Sequence, residues 1–289
     1  MSFGAHSAVH RPGFFGTRPA FAAGLLVTLL ALLFTMPNAA SAAGPAAGSG
    51  PMTHPVLDWM GSTIRAHESG SATGNVITPL VTQTPGMDVS GYQGNVDWSA
   101  AWSNGGRFAY IKATEGTSYT NPYFAQQYNG SYNVGMIRGS YHFALPNVSS
   151  GATQADYFVN HGGGWSGDGK TLPGALDIEY NPYGATCYGL SAGGMVNWIA
   201  SFSNQYAART GRYPTIYTST NWWSSCTGNS GAFAGNNPLW IARYSTSVGT
   251  LPAGWGFHTI WQYSDAGVFP GDQDRFNGAY DRLQAFANG

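Results

Sequence analysis

Apolar residues fall into one long run and a series of short ones. The long run, Ala20 to Met36, carries no charge and follows Arg11 and Arg18. Beyond Pro85 the runs are short: Phe108 to Ala113, Met136 to Leu145, Ala175 to Tyr180, Tyr213 to Thr218, Leu239 to Tyr244 and Phe257 to Tyr263. Each is rich in Ile, Val, Tyr, Phe or Trp and is bounded by Gly, Pro, Asn or Ser, the pattern of strands. Ser191 to Thr210 reads differently. Met195, Ile199, Phe202 and Tyr206 follow one another at spacings of four, three and four, so they share one helical face. Ser191 suits the N-cap, Gly211 suits the position after the last turn, and Pro214 prevents continuation. Shorter helices fit Asn121 to Tyr132, Thr153 to Asn160 and Ala279 to Ala287. Strands alternating with helices predict an α/β fold with a mostly parallel sheet. Seven or eight strands in about 200 residues predict a small (β/α) barrel, TIM-barrel-like but with fewer helices than strands.

The long run is at the short limit for a membrane span. It is followed by small residues, and Ala40-Ser41-Ala42 fits an A-x-A cleavage pattern, so residues 1–42 read as a secretory signal peptide. Residues 43–85 are a low-complexity linker or propeptide rich in Ala, Gly, Ser, Thr and Pro. One stretch interrupts it, His54 to Glu68, which suits a short helix or a propeptide patch. Residues 86–289 form the main domain. Its two cysteines, Cys187 and Cys226, would meet oxidising conditions on export, so one disulfide is expected.

Composition narrows the function. Only 9% of residues are charged and the net charge is -1, which leaves no electrostatic footprint for nucleic acid or an anionic membrane. Aromatic residues reach 15%, with 10 Trp and 17 Tyr, and Gly numbers 41. Few charges beside many aromatic and small polar groups suit an exported protein that handles sugars, because aromatic faces stack on pyranose rings while small polar groups meet hydroxyls. No histidine pair has metal-ligand spacing, no G-x-S-x-G elbow is present, and no Gly-rich loop joins a strand to a helix. No cofactor and no metal are expected.

The sharpest constellation is LPGALDIEY, residues 172–180. Asp177 and Glu179 lie two apart on a predicted strand, so both face one side, about 7 Å apart. They close an apolar run, which in a barrel is the C-terminal mouth where active sites sit. Two such carboxylates repel, and the more desolvated one keeps its proton, as a general acid requires. Glu179 is expected to hold that proton and Asp177 to stay ionised. Asp88 closes the first apolar stretch, and Asp272 and Asp274 lie near the last strand. First and last strands are neighbours in a closed barrel, so Asp88 and Asp272 are expected to approach the same mouth.

With these residues in place, the chain resembles glycoside hydrolase family 25, the muramidase family of Streptomyces-type and phage lysozymes. The resemblance rests on GMDVSGYQG (86–94), YIKATEG (110–116), GSYHF (139–143), LDIEY (176–180), IYTS (216–219), LWIARY (239–244), WQYS (261–264) and DQDRFNG (272–278), in that order. It implies an irregular, flattened β/α barrel. It also implies hydrolysis of the β-1,4 bond between N-acetylmuramic acid and N-acetylglucosamine in bacterial peptidoglycan, by a secreted, monomeric enzyme. By motif it makes Glu179 the general acid and Asp177 its partner, with Asp88 and Asp272 completing the catalytic set; Asp274 sits where the family often has Asn. It suggests Tyr141, Phe143, Tyr217, Trp240 and Lys112 as substrate contacts, although a Lys112–Glu115 ion pair explains those two as well. His142 is expected to be a hydrogen-bonded inner residue.

Three routes to the anomeric carbon stay open: a carboxylate nucleophile, an activated water, or the 2-acetamido oxygen of the muramic acid itself, oriented by Asp177. A wall-binding protein without activity would not need all four carboxylates. A hydrolase of another β-1,4 polysaccharide, such as chitin or cellulose, is the other alternative.

Overall fold

The computed structural model describes residues 52–68 and 82–289. The expected signal peptide, residues 1–42, lies outside the described residues, as do 43–51 and 69–81 of the segment read as linker. That segment contributes a short helix, α1 (Ser62–Glu68), and the first strand, β1 (Thr84–Val89), begins inside it.

The strands continue as β2 (Phe108–Glu115), the two-residue β3 (Tyr119–Thr120), β4 (Ile137–Phe143), β5 (Ala175–Asp177), β6 (Thr215–Thr218), β7 (Leu239–Ala242), β8 (Ile260–Ser264) and β9 (Asp272–Phe276). Their order is β1-β9-β8-β7-β6-β5-β4-β2-β3, and β1 also pairs with β2. Eight strands thus close a barrel, with β3 outside the ring. The further helices are α2 (Trp98–Ser103), α3 (Phe124–Asn133), α4 (Gly151–Asn160), α5 (Ala192–Thr210), α6 (Thr220–Thr227) and α7 (Tyr280–Asn288). With α1 they make seven helices among the described residues, fewer than the strands.

Within the closed ring, one strand departs from the parallel pattern. β9 runs antiparallel to both β1 and β8. The connection from Ser264 to Asp272 is hairpin-sized, and a parallel crossover needs a dozen residues or more. The reversal brings the start of β9 to the mouth, so that Asp272 lies directly opposite Asp88. Gly271 makes this approach possible: its φ is +72°, and a Cβ there would stand 2.0 Å from the Asp88 carbonyl oxygen.

Helix α5 matches its sequence signals. Ser191 Oγ accepts from the Gly194 amide, Gly211 adopts the left-handed conformation, and Met195, Ile199, Phe202 and Tyr206 are buried. Two apolar clusters result. The outer one fills the space between the barrel wall and α4, α5 and α6, and includes Phe158, Phe202, Trp222 and Trp223. The inner one fills the barrel, from Leu283 and Ala287 of α7 through Phe108, Tyr110 and Ile260 to Tyr141, Tyr217 and Trp240. The disulfide between Cys187 and Cys226 is formed, with the Cα atoms 5.3 Å apart, and it ties the loop after β5 to α6.

Candidate active site

The parallel strands end at one mouth, and the expected acidic residues collect there. Strand β5 is shorter than its sequence suggested, because the ladder stops where Asp177 faces Phe143 on one side and Tyr217 on the other. Glu179 lies just past the strand, still fully buried. Asp88 and Asp272 are 2% and 3% exposed. Asp274 lies one strand repeat deeper, opposite Gly86 and Gln262, and its Oδ1 accepts from Trp240 Nε1 at 3.2 Å. The outer of the two aspartates is therefore Asp272.

Gln262 links this group together. Its Nε2 donates to Asp88 Oδ2 at 2.8 Å, and its Oε1 accepts from the Tyr217 hydroxyl at 2.6 Å. The Tyr244 hydroxyl lies 3.0 Å from the same Oε1. Neither Gln262 nor Tyr244 was singled out in the sequence, although both stand in motifs quoted above. The signal was present: Gln262 lies two residues beyond the inward-facing Ile260, and Tyr244 two beyond Ala242.

Of the five expected substrate contacts, Tyr141, Tyr217 and Trp240 line the inner cluster at the mouth. Phe143 does not join them; it packs in the outer cluster with Ala113, Leu145 and Ile178. The bulge between Lys112 and Thr114 of β2, opposite β4, accompanies this change of side. Lys112 is fully buried and ion-paired with Glu115 at 2.5 Å, and its Nζ also donates to the Pro55 and Asp58 carbonyls. His142 sits between Thr114 Oγ1 and Gln154 Oε1, and burial holds its pKa down near 3. It is an inner structural residue.

Burial dominates the electrostatics. Desolvation pushes Asp88 up to about 7 and Glu179 up to about 7, and raises Asp177, Asp272 and Asp274 well above the carboxylate range. The expected division of roles between Asp177 and Glu179 is not seen here. Both oxygens of Asp177 lack a hydrogen-bond partner among the described residues. Glu179 instead accepts three bonds, from the Gly61 amide at 2.8 Å, Thr63 Oγ1 at 2.6 Å and the Ile64 amide at 3.1 Å. These donors favour its charged form and oppose the desolvation.

Comparison with known proteins places the chain in a family. A model of Glycosyl hydrolases family 25 matches residues 87–272. The chain is 55% identical over 208 residues to an N,O-diacetylmuramidase from Chalaropsis sp, covering 71% of this chain and 99% of the relative. It is 46% identical over 284 residues to Lysozyme M1 of Streptomyces globisporus, covering 94% of this chain and 96% of that one. The solved structure of a family GH25 lysozyme from Aspergillus fumigatus matches with a TM-score of 0.71 at 50% identity, covering 72% of this chain and 100% of that chain. The chain belongs to the glycosyl hydrolases of family 25, and it is a glycoside hydrolase.

Proposed function

We propose that the chain is a secreted muramidase that cleaves the β-1,4 bond between N-acetylmuramic acid and N-acetylglucosamine in bacterial peptidoglycan. The observation that carries the reading is the convergence of Asp88, Asp177, Glu179 and Asp272 at the C-terminal mouth of a barrel, beside Tyr141, Tyr217 and Trp240. The names of the relatives, N,O-diacetylmuramidase and lysozyme, support the choice of a wall glycan over chitin or cellulose. The disulfide supports an oxidising compartment. Removal of residues 1–42 as a signal peptide belongs to the same reading.

In this proposal Glu179 gives its proton to the leaving glycosidic oxygen as the bond breaks. The 2-acetamido oxygen of the muramic acid attacks the anomeric carbon and forms an oxazolinium ion, and Asp177 orients the amide and offsets the developing positive charge. Water then opens the ring, and Glu179, now ionised, takes a proton from it. The absence of any protein donor on Asp177 among the described residues supports this role, because both its oxygens are available to an amide N–H. Asp88 and Asp272, facing each other across β1 and β9, stabilise positive charge on the sugar ring.

The test is clearance of purified Gram-positive walls followed by identification of the new reducing ends. Muramic acid at the reducing end is the expected result. Reducing-end glucosamine, or turnover of chitin or cellulose with walls left intact, would overturn it.

A further inference from the structure

A polysaccharide has no access to the mouth just described. Asp177, Glu179, Tyr141, Tyr217 and Trp240 are each 0% exposed. What covers them is the chain's own segment from residue 52 to 68, which precedes the barrel.

The segment's sequence explains how it fits. Met60 lies two residues before α1 and Ile64 within its first turn, and both are buried in the inner cluster with Tyr141, Tyr217 and Trp240. Arg65, Ala66 and His67 face outward. The first turn of any helix leaves amides without intrahelical partners. Here the amides of Gly61 and Ile64, with the Thr63 hydroxyl, are satisfied by the Glu179 carboxylate. The Met60 amide donates to the Tyr141 hydroxyl at 3.2 Å, and the Met60 carbonyl accepts from Gln262 Nε2 at 3.0 Å. At one end Lys112 and Tyr183 hold residues 55–58; at the other, Tyr180, Ser219 and Asn221 hold Glu68. Gly61 permits the closest approach. A Cβ there would stand 2.1 Å from the Tyr244 hydroxyl and 2.7 Å from that of Tyr217, and its φ of +93° disfavours any other residue.

We propose that residues 52–68 are an intramolecular inhibitor that occupies the substrate site, so that the chain is latent while the segment is docked. The inference rests on the reading of Glu179 and its neighbours as the catalytic site. The segment takes the place of substrate in three respects. It fills the aromatic floor with Met60 and Ile64, it occupies the polar groups of Gln262 and Tyr141, and it engages both Glu179 oxygens, which a glycosidic oxygen would otherwise meet. The alignment with Lysozyme M1 covers 94% of this chain, so it extends into the segment. The Chalaropsis enzyme is matched along 99% of its own length by 208 residues, a stretch the size of the barrel.

The test uses the folded chain lacking residues 1–42, with a specific protease recognition sequence inserted between Gly70 and Thr82. Wall clearance is measured before and after cutting, at high dilution. A tethered segment acts at millimolar effective concentration, so cutting is expected to raise the rate about 100-fold. Gly61→Val, in the uncut chain, should give the rate of the cut protein without cutting. A synthetic peptide of residues 52–68 should inhibit the cut enzyme by raising KM with kcat unchanged. Equal activity of cut and uncut protein, both showing the same cooperative unfolding, would overturn the proposal. If neither form clears walls, the proposed substrate is at fault. Binding of the labelled peptide to the cut protein, weakened at least tenfold by Glu179→Gln, then supports the docking, and absence of binding refutes it.

Discussion

Removing the disulfide tests how far the loop after Glu179 depends on its covalent tie. Cys187 and Cys226 are 39 residues apart, and the bridge closes that loop across the edge of the mouth. On the chain-entropy model a loop of this length restricts the unfolded chain by about 4 kcal/mol at 25 °C. A barrel of about 200 residues unfolds with an entropy of about 0.42 kcal/mol/K near its midpoint, so the double variant Cys187→Ala, Cys226→Ala should melt about 9 °C lower. Alanine is the right replacement, because Cys226 is 1% exposed in the outer cluster and a serine hydroxyl there would want a partner. Scanning calorimetry of the oxidised parent and the variant, at one scan rate and pH, reads the difference. Activity of the segment-free enzyme at 25 °C should persist, since the bridge makes no hydrogen bond to a carboxylate of the site. A midpoint within 2 °C of the parent would refute the reasoning and mean that the unfolded chain is already confined without the bond.

Asp272 and Asp274 are predicted to separate in the segment-free enzyme. Asp272→Asn, at the mouth opposite Asp88, should lower kcat/KM by at least ~10², because a carboxylate that offsets transition-state charge is lost. Asp274→Asn should cost less than ~5-fold, since its carbonyl oxygen still accepts from Trp240; the reverse ranking would mean that the deeper aspartate meets the sugar. Docking of the segment should be linked to protons. Burial holds Asp88, Glu115 and Glu179 up to about 7 in the docked chain, and the hydration that release brings favours their charged forms. The docked state therefore binds more protons, so docking weakens as pH rises toward and through about 7. Around these carboxylates stand Asp177, Asp272, Lys112, Tyr183, Tyr217 and Tyr244 of the barrel and Asp58 of the segment, with His54 beside it. Inhibition by the 52–68 peptide that strengthens with rising pH would contradict this sign.

Much of the barrel was legible because its signals are local. Short apolar runs bounded by Gly, Pro, Asn or Ser marked six strands, and a helix with both caps in sequence marked α5 to within a residue. The short helices α2 and α6, of six and eight residues, offer too few turns for a 3.6-residue period to declare itself. The four carboxylates stood out in a chain with so few charges. Gln262 and Tyr244 did not, because a neutral polar residue becomes informative only when its burial is known. The pairing of Asp177 with Glu179 was read correctly as a buried like-charge pair, but not the difference between them, which comes from Gly61, Thr63 and Ile64. Those residues lie more than a hundred positions away in a stretch whose composition reads as linker, and no pattern within either segment announces their contact.

The central claim is that Glu179 delivers the proton that breaks the glycosidic bond. Glu179→Gln keeps the shape of the side chain and removes its acid. Measured in the cut, segment-free enzyme on purified walls, kcat should fall by at least ~10², while binding to walls changes little. Near-normal kcat in a Glu179→Gln protein that unfolds at the parent's temperature would contradict the account.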